Sequence, residues 1–387
     1  MRIVVKVGTS TLTNSQGRID RSFIADLTAQ LAALKHQGNE VILVTSGAIR
    51  AGQDRLHARN IQRNGDNSPP MTHPKLGETL PFKQAAAAIG QGALMHAYTE
   101  AFSWRDTDCA QILLTREDLS DRKRFLNARN TLLALISLGV VPVINENDTV
   151  AVDEIKFGDN DLLAALVATL IEADLLLILS DVEGLYDKPP TENAFGSAPP
   201  QIIRTVDKID GTLEKIAGGS VSGVGTGGMS TKLQAAKIAT SAGIRTVIAR
   251  GRRERVALEV AAGDSVGTSF SPCAVASKMT ARKRWLAHSA RPKGCVLVNE
   301  RAEIRLKESG VSLLAAGIVE VRGSFNTGDL IEICDPQGRA FARGLTNDSE
   351  NEIRRVQGLK SEEFEAKLGY AGFEEIIHRD NLVVGEQ

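Results

Sequence analysis

Through the first 270 or so residues, short apolar runs rich in β-branched side chains alternate with stretches whose apolar residues recur at helical spacing. IVVKV (3–7), EVILVTS (40–46), VVPVIN (140–145), DLLLILSD (174–181) and IRTVIAR (244–250) read as strands. FIADLTAQLAALKHQG (23–38), AAAAIGQGALMHAYTEAF (85–102), RNTLLALISLG (129–139) and MSTKLQAAKIATSAG (229–243) read as the helices between them. Strands that are apolar at nearly every position have no face to show to water. The pattern therefore predicts an α/β fold, a mostly parallel sheet covered by helices on both sides. Residues 60–80, rich in Pro, Asn and Gly, interrupt the alternation and read as a long loop. From Gly294 the texture changes to short strands and frequent turns, with DPQG (335–338) predicting a hairpin between two apolar runs. The expected organisation is an α/β domain over 1–270, a linker over 271–293 and a small β-rich domain over 294–387.

Composition narrows this picture without redirecting it. At 387 residues, two cores are more economical than one. A net charge of −1 gives no global attraction to nucleic acid or an anionic membrane. No apolar run reaches the roughly 18–20 residues of a membrane span, and the chain begins directly on a strand rather than on a signal-like segment. Cys109, Cys273, Cys295 and Cys334 are too scattered for a disulfide framework or a CxxC metal site, so a reducing, cytoplasmic location is expected. The linker carries six Lys or Arg and no acid, and reads as a solvated basic connector.

In parallel sheets, ligands gather at the carboxyl ends of the strands, so the residues that follow each strand matter most. Lys6 leads into Gly8-Thr9-Ser10, and the second strand ends in Thr45-Ser46-Gly47-Ala48. Asn145-Glu146-Asn147-Asp148 follows the next, Phe157-Gly158-Asp159-Asn160-Asp161 opens a helix, and Ser180-Asp181 ends another strand. Last comes Ser222-Gly223-Val224-Gly225-Thr226-Gly227-Gly228-Met229-Ser230-Thr231-Lys232, a glycine-rich run entering a helix. Small residues let backbone N–H groups approach an anion, and a helix N-terminus adds its dipole. Lys6 interrupts an apolar strand, where an unpaired ammonium is costly. Lys6 and Lys232 thus suit the charge of a transferring phosphoryl group. Asp148, Asp161 and Asp181 are open to three roles: orienting the lysines, binding a substrate ammonium or helping to hold Mg²⁺.

GVGTGG (223–228) fits the dinucleotide pattern formally but follows no clear strand, and Met229 stands where a Walker motif needs Lys. No protein-kinase catalytic loop is present, and none of the six histidines has metal-ligand spacing. A carboxylate acceptor would explain a site with cations and no base. Its pKa near 4.3 leaves it ionised at neutral pH, whereas a hydroxyl acceptor needs its proton removed.

VVKVGTS, VILVTSGAIRAG, LLTREDLSDRKRFLNARNTL, VPVINENDTVAVDEIKFGDND, LSDVEGLYD and SVSGVGTGGMSTKLQAA occur in this order. Together they resemble the amino-acid kinase family, in its glutamate-phosphorylating branch. GVSLLAAGIVEVRGSFNTGDLIEI resembles a PUA domain. The resemblance implies an αβα sandwich that moves the γ-phosphoryl group of ATP to the γ-carboxylate of L-glutamate, the first step of proline biosynthesis. It implies that Lys6 and Lys232 stabilise the transferring group, that Asp161 holds both, and that Ser46, Asp148 and Asn160 bind glutamate. Lys6, Ser180, Asp181 and the stretch Thr226, Gly227, Gly228, Met229, Ser230, Thr231 and Lys232 would bind ATP, with Mg²⁺ on its phosphates and no protein metal site. A homo-oligomer and feedback by proline are also implied. Alternatives are a sister kinase for another small acid and an RNA-binding PUA protein. Against the latter, residues 294–387 hold 11 basic and 17 acidic residues, and aromatics make up 4% of the chain. The 60–80 segment is longer than the resemblance leads one to expect, and Thr346-Asn347-Asp348-Ser349 replaces a tyrosine-containing turn.

Overall fold

The computed structural model describes residues 1–64, 79–151, 160–188, 200–218, 228–273, 292–359 and 374–385, with Glu363, Phe364 and Lys367. The chain divides into two units, Met1–Leu119 with Lys123–Ser277, and Lys278–Gln387 with Ser120–Arg122.

The first unit runs β1 (Arg2–Val7), α1 (Thr9–Leu12), α2 (Arg21–His36), β2 (Glu40–Val44), α3 (Ala48–Asn64), α4 (Leu80–Ser103), β3 (Cys109–Leu114), α5 (Arg116–Ser120), α6 (Arg122–Ser137) and β4 (Val141–Glu146). It continues through α7 (Asn160–Leu170), β5 (Leu175–Ser180), β6 (Thr205–Val206), α8 (Gly211–Gly218), α9 (Met229–Ser241), β7 (Arg245–Arg250), α10 (Val256–Ala262) and β8 (Thr268–Phe270). These strands form one sheet in the order β3-β4-β2-β1-β5-β7-β8-β6. All its pairings are parallel except β7 with β8. All five strands read from the apolar pattern are present. The edge strands β3 and β6 and the short β8 between β7 and β6 are additions, and residues 60–64 of the expected loop continue α3 as helix. Of the rest of that loop, Thr79 is the N-cap of α4 and Leu80 begins it, while 65–78 and most of the basic linker lie outside the described residues.

Local chemistry explains the main elements. The Asp20 side chain accepts from the Phe23 N–H at the start of α2, and Lys35 and His36 meet the negative end of its dipole. Strand alternation sends Ile3, Val5 and Val7 of β1 toward α2, α4 and α10, where Leu27, Leu31, Tyr98, Phe102 and Val256 join them in one core. Val4 and Lys6 therefore face the opposite layer, where α7 packs on β1 and against α9. β1 lies between β2 and β5, in the centre of the sheet. Lys6 has no edge from which to reach water.

The second unit has its own sheet, ordered β10 (Ile318–Gly323), β9 (Gly294–Val298), β11 (Leu330–Cys334), β12 (Ala340–Leu345) and β13 (Leu382–Val384). Val296, Val298, Ile331, Ile333, Phe341 and Ile353 belong to its core. The DPQG hairpin joins β11 to β12. Asp335 Oδ1 accepts from the N–H groups of Gln337 and Arg339, and Gly338 takes the left-handed conformation at φ +82°. The Thr346–Ser349 turn is internally bonded, and Ser349 forms a capping box with Glu352. Among the described residues, no helix is long and apolar enough to cross a membrane.

Candidate active site

Burying an ammonium in an apolar layer costs several kcal/mol unless it is paired. Lys6, 3% exposed, is met by Asp161, whose Oδ1 lies 2.5 Å from its Nζ. Asp161 is fully buried in the first turn of α7, where the helix dipole favours a carboxylate. Its second oxygen, Oδ2, lies 3.1 Å from Nζ of Lys232, in the first turn of α9. Two helices and the central strand thus bring two cations onto one carboxylate at the carboxyl end of β1. Thr231 donates to Gly228 O at 2.8 Å and approaches Asp161 Oδ2 at 3.5 Å. A Cβ added at Gly8 would stand 3.2 Å from the Lys6 ammonium. The glycine therefore keeps this approach open for an anion at the ammonium.

A second group lies at the ends of β2 and β4. The Asn160 amide, next to Asp161, donates from Nδ2 to Thr45 O (2.6 Å), Ser46 Oγ (2.8 Å) and Asn145 Oδ1 (2.9 Å). Asn145 Nδ2 in turn donates to Gln91 Oε1 at 2.9 Å, and the Glu146 N–H donates to Asn145 Oδ1 at 2.9 Å. The Thr45 hydroxyl meets the Tyr98 hydroxyl at 2.8 Å, and burial pushes that phenol well above its ordinary range in spite of the bond, so it stays neutral. Burial raises the Asp148 carboxyl to about 6. Burial, with the Asp148 charge added, raises Glu146 to about 7. Both are half-buried, and no cation among the described residues lowers either one, the condition in which a carboxylate gains most from an incoming ammonium.

The structure brings Lys6, Asp161 and Lys232 into one cluster, and Asn160 with Ser46 into the other; adjacency of Asn160 and Asp161 in sequence joins the two. Asp148 stands beside Glu146 at the end of β4. Ser180 closes β5 and donates to Asp181 Oδ1 at 3.0 Å. Gly228 to Lys232 form the entry of α9, whereas Thr226, Gly227 and residues 152–159 lie outside the described residues. Sequence reading gave Asn145 no role of its own and passed over Gln91 and Tyr98. Their one available signal was polarity on the buried stripe of α4, where Gln91, Leu94, Met95, Tyr98 and Phe102 follow helical spacing.

A model of the amino acid kinase family matches residues 1–250, and a PUA domain model matches residues 294–368. A glutamate 5-kinase of Caldanaerobacter subterraneus subsp. tengcongensis is 48% identical over 387 residues, covering 100% of this chain and 98% of that protein. A glutamate 5-kinase of Syntrophotalea carbinolica is 47% identical over 383 residues, covering 99% of this chain and 97% of that one.

Proposed function

This chain belongs to the amino acid kinase family, and from that premise we propose that it phosphorylates L-glutamate on its γ-carboxylate with ATP, the first step of proline biosynthesis. A γ-carboxylate oxygen attacks the γ-phosphorus of ATP, the bond to the β–γ bridging oxygen breaks, and L-glutamyl 5-phosphate and ADP result. The acceptor is already an anion and loses no proton, so the barrier is repulsion between two negative groups and charge on the transferring oxygens.

The observation that carries this reading is the pair of buried ammonium groups held on Asp161 beside the bonded amides at the ends of β2 and β4. Lys6 and Lys232 offset charge that develops in transfer, and Asp161 fixes their positions in advance. Ser46, Asn160 and Asp148 take glutamate, with Asp148 receiving the ammonium. Gly228 to Lys232, Ser180 and Asp181 take the nucleotide. Mg²⁺ would be carried on the ATP phosphates, whose charge it offsets during transfer. Proline shares the α-carboxylate and cationic nitrogen of glutamate, so the same groups would admit it as an inhibitor. The acidic balance of residues 294–387 favours assembly or regulation over RNA binding for the second unit, with a homo-oligomer as the assembly.

The test is a coupled ADP-release assay with Mg-ATP and glutamate, aspartate, N-acetylglutamate or isopentenyl phosphate, run on the wild type and Lys232→Met. Glutamate should turn over fastest. The substitution should cut kcat by about 100-fold or more with little change in KM for glutamate, because the lost interaction belongs to the transition state. Equal turnover of all four acceptors refutes the assignment, and an unchanged kcat refutes the role of Lys232.

A further inference from the structure

The three amides Asn160, Asn145 and Gln91 are bonded in series, and all are buried, at 8%, 2% and 9% exposure. At each end of the series one atom has no hydrogen-bond partner among the described residues, Asn160 Oδ1 at one and Gln91 Nε2 at the other. A buried donor or acceptor left unmade costs about 1–3 kcal/mol. Two at the ends of one connected series, beside the Ser46 turn, are better explained by a ligand that completes both than by chance.

The chemistry of the two ends is complementary to an amino-acid head group. Asn160 Oδ1 can only accept, which suits an ammonium, and that ammonium would also relieve the half-buried Asp148. Gln91 Nε2 can only donate, which suits a carboxylate. We infer that Gln91 is a further substrate-binding residue, whose amide N–H₂ donates to the α-carboxylate of the acceptor while Asn160 Oδ1 accepts from its α-ammonium. This rests on the reading of the site as an amino-acid kinase site and adds how it would tell an α-amino acid from other carboxylates. The γ-carboxylate is left to face the lysines. Gln91 also orients Asn145, so a purely structural role is the competing account, and the two differ in what the enzyme then recognises.

The experiment compares L-glutamate with its α-amide, which keeps the ammonium and the γ-carboxylate but presents a neutral amide in place of the α-carboxylate. Wild-type enzyme should favour glutamate strongly in kcat/KM. Gln91→Leu should raise KM for glutamate about 10- to 100-fold with kcat within about threefold, since a hydrogen bond to a charged group is lost from ground and transition state alike. It should leave KM for the α-amide nearly unchanged, so that the preference collapses. Gln91→Glu, of the same shape, should make the α-amide the better substrate, because a carboxylate repels one ligand and accepts from the other. Equal loss toward both substrates in both variants would overturn the inference and leave Gln91 as a scaffold for Asn145. An unchanged preference in both would overturn it too. Wild-type enzyme that turns over neither compound would instead refute the proposed reaction, a distinct outcome. The KM for ATP, expected to hold in each variant, reports that the fold is intact.

Discussion

Glu146 and Asp148 stand two residues apart at the end of β4, and burial keeps both carboxyls protonated well above their ordinary range. Below about pH 4 both are neutral in the folded and unfolded chain alike. As pH rises the unfolded chain ionises first, while the folded protein resists until about 6 for Asp148 and about 7 for Glu146. These groups therefore favour the fold at low pH and lose that contribution by about pH 7. Glu146→Gln removes one of them, so its Tm should rise relative to wild type as pH goes from 5 to 8 in ligand-free protein. A difference that is flat or shrinks over that range would contradict the burial described here. Sequence reading worked best for residues that violate their surroundings. Lys6 stood out because ammonium groups do not belong in apolar strands, and a buried carboxylate proved to be its partner. Gln91 was passed over, because one amide in an alanine-rich helix violates little, and what gives it meaning is up to two hydrogen bonds away on β4 and α7.

At the scale of elements, α3 and α4 cross at glycines. A Cβ added at Gly90 would fall 1.8 Å from the Ala48 carbonyl oxygen, and one at Gly52 would fall 1.8 Å from that of Ala86. Both obstacles are backbone, so the helices would have to part. Alanine gains about 1 kcal/mol over glycine in helix propensity, but overpacking of this kind costs about 1–3 kcal/mol or more, and the clash prevails. Gly90→Ala should lower stability by about 1–3 kcal/mol in denaturant melts. Because Ala48 follows the Ser46 turn and Gln91 follows Gly90, it should also raise KM for glutamate while leaving KM for ATP near wild type. Higher stability with unchanged KM would show that the crossing is looser than drawn. The central strands and long helices were legible because burial imposes a period on their sequences. β3 was not, since its residues are mostly half-exposed at the sheet edge and carry no continuous apolar signal. The end of α3 was misjudged because Asn and Gln around residue 60 resemble loop composition, while the helix runs on to Asn64.

At the scale of the molecule, each unit has a sheet and a core of its own. Every described residue assigned here to nucleotide, acceptor or transfer lies in the first unit. A chain ending at Ser277 should therefore keep KM for glutamate and ATP within about threefold, with kcat within about tenfold, in the same ADP-release assay. Loss of all turnover from a truncated chain that still melts cooperatively would show that the second unit completes the site. The fold class of that unit was readable from its turns, where Asp335 and Gly338 dictate backbone geometry locally. Its role was not, since a role depends on what its surface meets.

Thr45 offers Asn160 a carbonyl oxygen, and Glu146 offers Asn145 an N–H; both are main-chain groups that cannot turn over. Asn160 must therefore show nitrogen to the strand ends, Asn145 must show oxygen to it, and Gln91 must accept from Asn145. The outward polarity of the last member is thus inherited from the backbone, like the sense of a row of dominoes. No single amide can be inverted without inverting its neighbours, so a change of ligand polarity at this end of the row would have to rewrite the whole row at once.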